Sequence, residues 1–186
     1  MMMTGIGYFR RLMILCGAGL LLAACQANNF VDLEAVDPSA ASSGNISSLT
    51  SVINANPRDA AAYNTRGSAY GAAGQFRPAL ADFNHAIEIN PQFYQAYANR
   101  ALIKRSSGDS QGAILDYNQA LAINNQYDVA YIGRGNIYRE QGNAPEALEN
   151  YNRAISLGTT DPRAFHNRGL LYQGNGRHGE AIDDFS

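Results

Sequence analysis

Apolar and polar positions between Ala60 and Ser186 recur with a period of 34 residues. Tyr63, Gly67, Tyr70, Gly74, Ala79, Phe83, Ala86 and Pro91 set the pattern. One step on stand Tyr97, Ala101, Gly108, Ala113, Tyr117 and Ala120. A second step reaches Tyr131, Gly135, Tyr138, Gly142, Ala147, Tyr151 and Ala154, and a third Phe165, Gly169, Tyr172, Gly176, Ala181 and Phe185. No insertion interrupts the series, which predicts stacked units rather than one globular core. Tyr63, Gly67 and Tyr70 are spaced four and three apart, one face of a helix; Ala79, Phe83 and Ala86 form a second such face. Each unit is therefore two helices. The first is expected over Ala60–Ala73, Tyr94–Ser107, Asp128–Gln141 and Pro162–Asn175. The second is expected over Arg77–Asn90, Gln111–Asn124 and Pro145–Leu157, and again from His178. Gly67 and Ala79 are small enough for the two helices to approach, and Gly74 and its counterparts end the first helices in a left-handed conformation.

These residues resemble the tetratricopeptide repeat (TPR), a 34-residue helix–turn–helix unit with an aromatic, Gly, Tyr, Ala, Phe, Ala and Pro at set positions. The resemblance covers about Ala60 to Ser186 and implies an all-α fold: a solenoid wound into a right-handed superhelix. The units are 60–93, 94–127, 128–161 and 162–186, with the fourth incomplete, which suggests a truncated chain. Residues 45–57 read as a half repeat that caps the stack, with Ile46, Leu49, Val52 and Ile53 on one face. If the chain did stop at Ser186, Ala181, Ile182 and Phe185 would be left as an exposed apolar end. The second unit departs from the pattern, with Ala101 for Gly, Lys104 for Tyr and Asn125 for Pro.

By the same resemblance, partners bind along the concave face. In the first two units that face includes Asn64, Ser68, Gln95, Asn99, Leu102 and Arg105. In the last two it includes Ile132, Asn136, Arg139, Arg163, His166, Asn167 and Leu170. Asn side chains can donate to or accept from a partner's backbone, and the arginines can attract carboxylates. The Lys that chaperone-binding members carry early in the first helix is absent, since Asn64 stands there. One signature is peculiar to this chain: Arg66, Arg100, Arg134 and Arg168 share one position, and Asp82, Asp116 and Asp184 share another, with Asn150 in the third unit. The shared period favours structural Arg–Asp pairing over an arginine stripe that reads an anionic ligand.

The start of the chain has another character. Arg10 and Arg11 precede the 11 apolar residues Leu12–Leu22, followed by Ala23-Ala24-Cys25. That run is too short to cross a bilayer as a helix and has the anatomy of a secretory signal. Leu22-Ala23-Ala24-Cys25 is similar to the bacterial lipobox, which implies cleavage after residue 24 and lipidation of Cys25. Residues 25–44 then form a flexible tether with an r.m.s. reach of roughly 25 Å. Gln26, where enterobacterial proteins retained in the inner membrane carry Asp, points to the outer membrane facing the periplasm.

Composition adds little beyond exclusions. The chain has 13 Arg, a single Lys and a net charge of −2, with no basic block to suit a nucleic acid. Its two cysteines, Cys16 and Cys25, lie outside the repeats. No phosphate loop, nucleophile elbow or metal-ligand pair occurs, so no catalytic residue, metal or cofactor is expected. His85, His166 and His178 each stand alone. The function expected is a protein-binding scaffold in the bacterial envelope, held to the membrane by lipid; the alternative is a pilotin-like assembly factor for a pilus, secretion or outer-membrane machine.

Overall fold

A computed structural model describes residues 43–186. The signal segment, Cys25 and all of the tether but Ser43 and Gly44 lie outside the described residues. Within them are nine helices: α1 Ser43–Ala55, α2 Ala60–Ala72, α3 Phe76–Ile89, α4 Tyr94–Ser106, α5 Ser110–Ile123, α6 Asp128–Glu140, α7 Ala144–Ser156, α8 Pro162–Gly174 and α9 His178–Phe185. The even-numbered helices are the first helices of their units. Each packs on the second helix of its own unit and on that of the unit before. First helices also touch one another (α2 with α4, α4 with α6, α6 with α8), whereas second helices do not. The stack is therefore closed on its first-helix side and splayed on the other, which makes the first helices the inner face. None of the described helices is long and apolar enough to cross a membrane.

The turns repeat like the helices. Gly74, Gly108, Gly142 and Gly176 adopt φ of 70°, 90°, 73° and 73°. Around each, the chain closes with the same backbone bond to the residue five positions back: Gln75 N–H to Tyr70 O, Asp109 to Lys104, Asn143 to Tyr138 and Arg177 to Tyr172, at 2.8 to 2.9 Å. A β-carbon would be strained at these left-handed residues. Asp59, Asp109 and Asp161 cap α2, α5 and α8 through backbone N–H groups of Ala62, Gly112 and Arg163. Pro91 lies exposed just past α3, while the third unit, with Thr159 at that position, ends α7 on Gly158 at φ 78°.

The small-against-large contact inside each unit is close. A β-carbon on Gly67 would lie 2.8 Å from Phe83 Cε1, on Gly135 2.9 Å from Tyr151 Cε1, and on Gly169 2.5 Å from Phe185 Cε1. Ala79, Phe83 and Tyr151 are fully buried, each large ring contributing about 1.5–3 kcal/mol by area removed from water. The second unit solves the problem differently. Ala101 already carries a β-carbon there, and the Tyr117 ring end instead reaches the next unit, into the space that a Gly133 β-carbon would need. The departure at Ala101 is thus matched by a glycine 32 residues on.

Three expectations are corrected. The cap helix begins at Ser43, inside the span read as tether. Its face is narrower than expected: Ile53 is buried, but Val52 is 48% exposed. Val52 and Leu49 correspond to Ala86 and Phe83, which face the first helix of their own unit, and no such helix precedes α1 among the described residues. Ile53 corresponds to Leu121 and faces the following helix. At the other end Ala181 is buried, packed against its own unit as Ala79, Ala113 and Ala147 are, and only Ile182 and Phe185 are exposed.

Candidate functional site: the inner face and its ladders

The concave-face candidates other than Gln95 and Arg139 fall into three groups, with Arg105 entering two of them. Asn64, Ser68, Asn99, Ile132 and Asn136 are buried. The asparagine amides hold first helix to first helix. Asn99 Nδ2 donates to Asn64 Oδ1 at 2.9 Å, linking α4 to α2. Asn136 Oδ1 accepts from Asn167 Nδ2 of α8 and from Tyr151 OH, both at 2.8 Å. Burial raises the Tyr151 phenol above its ordinary value, with Arg139 beside it pulling the other way. In this conformation the buried asparagines set the spacing of the rungs and are closed to a partner's backbone, which corrects the binding role expected of them. Sequence position alone cannot separate the two roles, because both require a polar side chain on the inner stripe.

Charged side chains that already hold carboxylates form the second group. Arg105 on α4 reaches across to Glu140 on α6, with Nη2 to Oε1 at 2.5 Å. Arg163 turns back on its own helix cap, Asp161, at 2.6 Å. Burial raises the Asp161 carboxyl, but Arg163 and the backbone N–H outweigh it and hold it below its ordinary value. Neither arginine is an uncompensated charge awaiting a partner, as the sequence reading had allowed. Glu140 was missed there: it has no counterpart in the 34-residue pattern.

The third group is open. Leu102 and Arg105 form one wall of a hollow of about 390 Å³, floored by Gly71, Ala72 and Phe76 and closed by Ser106 and Glu140. Farther along, His166 and Leu170 line a cleft of about 840 Å³ with Phe165 and Phe185 at the last of the described residues, whereas Ile132 and Asn136, their counterparts one unit earlier, are buried. Within the stack, the hollow beside Leu102 is what the inner face offers to another molecule.

The arginine signature is structural. Arg66 Nε and Nη2 clasp Asp82 at 2.8 Å each, Arg100 clasps Asp116 at 2.8 and 2.6 Å, and Arg168 clasps Asp184 at 2.8 and 2.5 Å. The Asp82 and Asp184 carboxylates raise Arg66 and Arg168 above the ordinary guanidinium value, against the opposing effect of burial. Each arginine also uses Nη1 to reach the unit before: Thr50, Asn84, Asn118 and Asn152 accept from Arg66, Arg100, Arg134 and Arg168 at 2.6 to 3.1 Å. These four acceptors repeat at 34 residues, a period legible in the sequence. One side chain thereby fastens both helices of its own unit to the second helix of its predecessor. Its face lies over the unit's first aromatic at 5.5 to 5.6 Å in the first three units.

His85 and His178 are exposed, and the His85 ring meets Tyr63 in a tilted contact at 4.5 Å between ring centroids. Among the described residues no three His, Cys, Asp or Glu side chains converge as metal ligands.

With this geometry in view, the likeness to known proteins is specific. Tetratricopeptide-repeat models match residues 60–93 and 94–127, and a TPR-repeat model matches 135–176. Together they span more than half of the chain, which belongs to the tetratricopeptide repeat family. Among solved structures it is similar to MamA, at 27% identity and a TM-score of 0.66 over 76% of this chain and 83% of that one. It is also similar to TTC0263, a thermophilic TPR protein of Thermus thermophilus, at 20% identity and 0.65 over 75% and 77% of the two chains. A third likeness is to YrrB, described as a TPR protein with an unusual peptide-binding site, at 21% identity and 0.63 over 74% and 71%. No curated protein matches the sequence. Family and fold together define a protein–protein interaction scaffold, a class whose members are generally not enzymes.

Proposed function

We propose that this chain is an envelope lipoprotein, anchored through Cys25 to the outer membrane and facing the periplasm, whose inner face takes an extended peptide or helix of a protein partner. The observation that carries the binding half is the hollow walled by Leu102 and Arg105. It sets the apolar side chains of Phe76 and Leu102 beside the Arg105–Glu140 pair, which spans α4 and α6. Binding in such a groove draws on side-chain pockets and on order already present before the partner arrives. The peptide-binding site ascribed to YrrB supports the same use of the fold. The anchoring half rests on Leu22-Ala23-Ala24-Cys25 and the apolar run before it. An adaptor that gathers other envelope proteins fits both halves.

Fractionation of cells expressing the full chain tests the address. The wild-type protein is expected in the membrane fraction and Cys25→Ser in the soluble fraction. Equal membrane recovery of the two would remove the anchor from the account. Mass spectrometry of crosslinked complexes from the wild type then reads the partner: cell-wall enzymes favour the adaptor, and pilus, secretion or outer-membrane assembly subunits favour an assembly factor.

A further inference from the structure

The third unit breaks the arginine ladder at one point. Asn150 stands where the other three units carry Asp, and it offers Arg134 Nε a single neutral acceptor at 2.9 Å. Its own Nδ2 turns away to the Glu146 carbonyl at 2.7 Å. Arg134 Nη1 is engaged by Asn118 at 2.6 Å, while Nη2, which clasps the second carboxylate oxygen in the sister units, has no acceptor among the described residues. A second cation lies close by. Arg153 of α7 has no carboxylate partner among the described residues, and its guanidinium lies 5.9 Å from the Tyr131 ring that Arg134 covers at 5.6 Å. Between them opens a cleft of about 500 Å³, lined also by Glu149, Asn152 and Ser156. It shares no residue with the inner-face hollow.

We propose that this cleft binds a carboxylate carried by another molecule, with Arg134 Nη2 and the Arg153 guanidinium as its donors. The template is internal: Arg66, Arg100 and Arg168 each hold a carboxylate in the same register with both oxygens engaged. Arg is suited to that paired geometry. Two guanidinium groups against one carboxylate, Glu149, leave the cleft net positive, and Tyr131 gives it an apolar wall. Asn152 spends its oxygen on Arg168 at 2.7 Å, so its amide N–H groups remain as further donors. The inference does not depend on the inner-face reading.

The test is a titration of the full chain with sodium acetate, followed by the Nε–Hε resonances of its arginines at constant ionic strength, with sodium phosphate and sodium chloride as parallel arms. Saturable shifts of Arg134 and Arg153 with acetate are expected, and none of Arg66, Arg100 or Arg168. Asn150→Asp places the chain's own carboxylate in the ladder and is expected to weaken acetate binding at least about tenfold while raising the melting temperature. Arg153→Gln is expected to weaken it with the melting temperature unchanged. Shifts that never saturate, equal acetate affinity in Asn150→Asp, or saturable binding of phosphate without acetate would overturn the assignment.

Discussion

Asp116→Ala is expected to lower unfolding free energy by about 3 kcal/mol or more, the largest loss of any ladder acid. The carboxylate is nearly buried and holds two cations: Arg100 through two hydrogen bonds, and Lys104 at 2.8 Å. Lys104 takes the place of the tyrosine found in the other units, so the second unit alone carries two positive charges on one acid. Removing that acid strands both, with side chains only 18% and 24% exposed. Asp82→Ala strands one guanidinium and should cost less. Asp116→Asn should be milder still, because the third unit already lives with Asn150 at this position. Denaturant unfolding of the three variants gives the order directly. A loss for Asp116→Ala no greater than that of an exposed ion pair, about 1 kcal/mol or less, would make the ladder ornamental.

The second large effect is at Tyr151. This ring is fully buried, fills the space that Gly135 leaves, and donates to the asparagine that ties α6 to α8. Tyr151→Ala removes ring and hydroxyl and is expected to cost about 3–5 kcal/mol. Tyr151→Phe keeps the ring and removes only the donor. Asn136 then retains Asn167, and the expected cost is about 1 kcal/mol. Calorimetry on both variants separates packing from hydrogen bonding. Nearly equal losses would mean that the hydroxyl, not the ring against Gly135, holds the third unit.

The fold was legible because its signals are local and repeated. Gly74 and its counterparts, the Tyr63 and Phe83 series and the Arg66–Asp82 pair each recur at one period, so every element was read several times over. The errors lie where repetition stops. At α1 no helix among the described residues stands in front of Leu49 and Val52, so the face copied from Phe83 and Ala86 lacks the partner it has in the later units. Tyr117 reaches Gly133 because of Ala101, a compensation between adjacent units that a comparison of equivalent positions cannot show.

The candidate site was less legible for a related reason. Inner-stripe positions predict which way a side chain points, not how deep it lies. Asn64 and Asn99 meet because α2 and α4 come into contact, and that contact hides them. Leu102 stays accessible because the small residues Gly71 and Ala72 face it across the hollow. Arg105 and Arg163 lost their expected freedom to Glu140 and Asp161, the first an acid outside the repeating pattern and the second the residue that caps α8.

Site-specific photocrosslinking in cells tests the central claim most directly. A photoreactive residue is placed at Leu102 or Ser106 on the inner face, and at Leu115, which is 60% exposed on the second helix of the second unit. The account predicts a discrete crosslinked protein adduct from the two inner-face positions and none from Leu115. An adduct from Leu115 alone, or the same adduct at equal yield from all three positions, would contradict it.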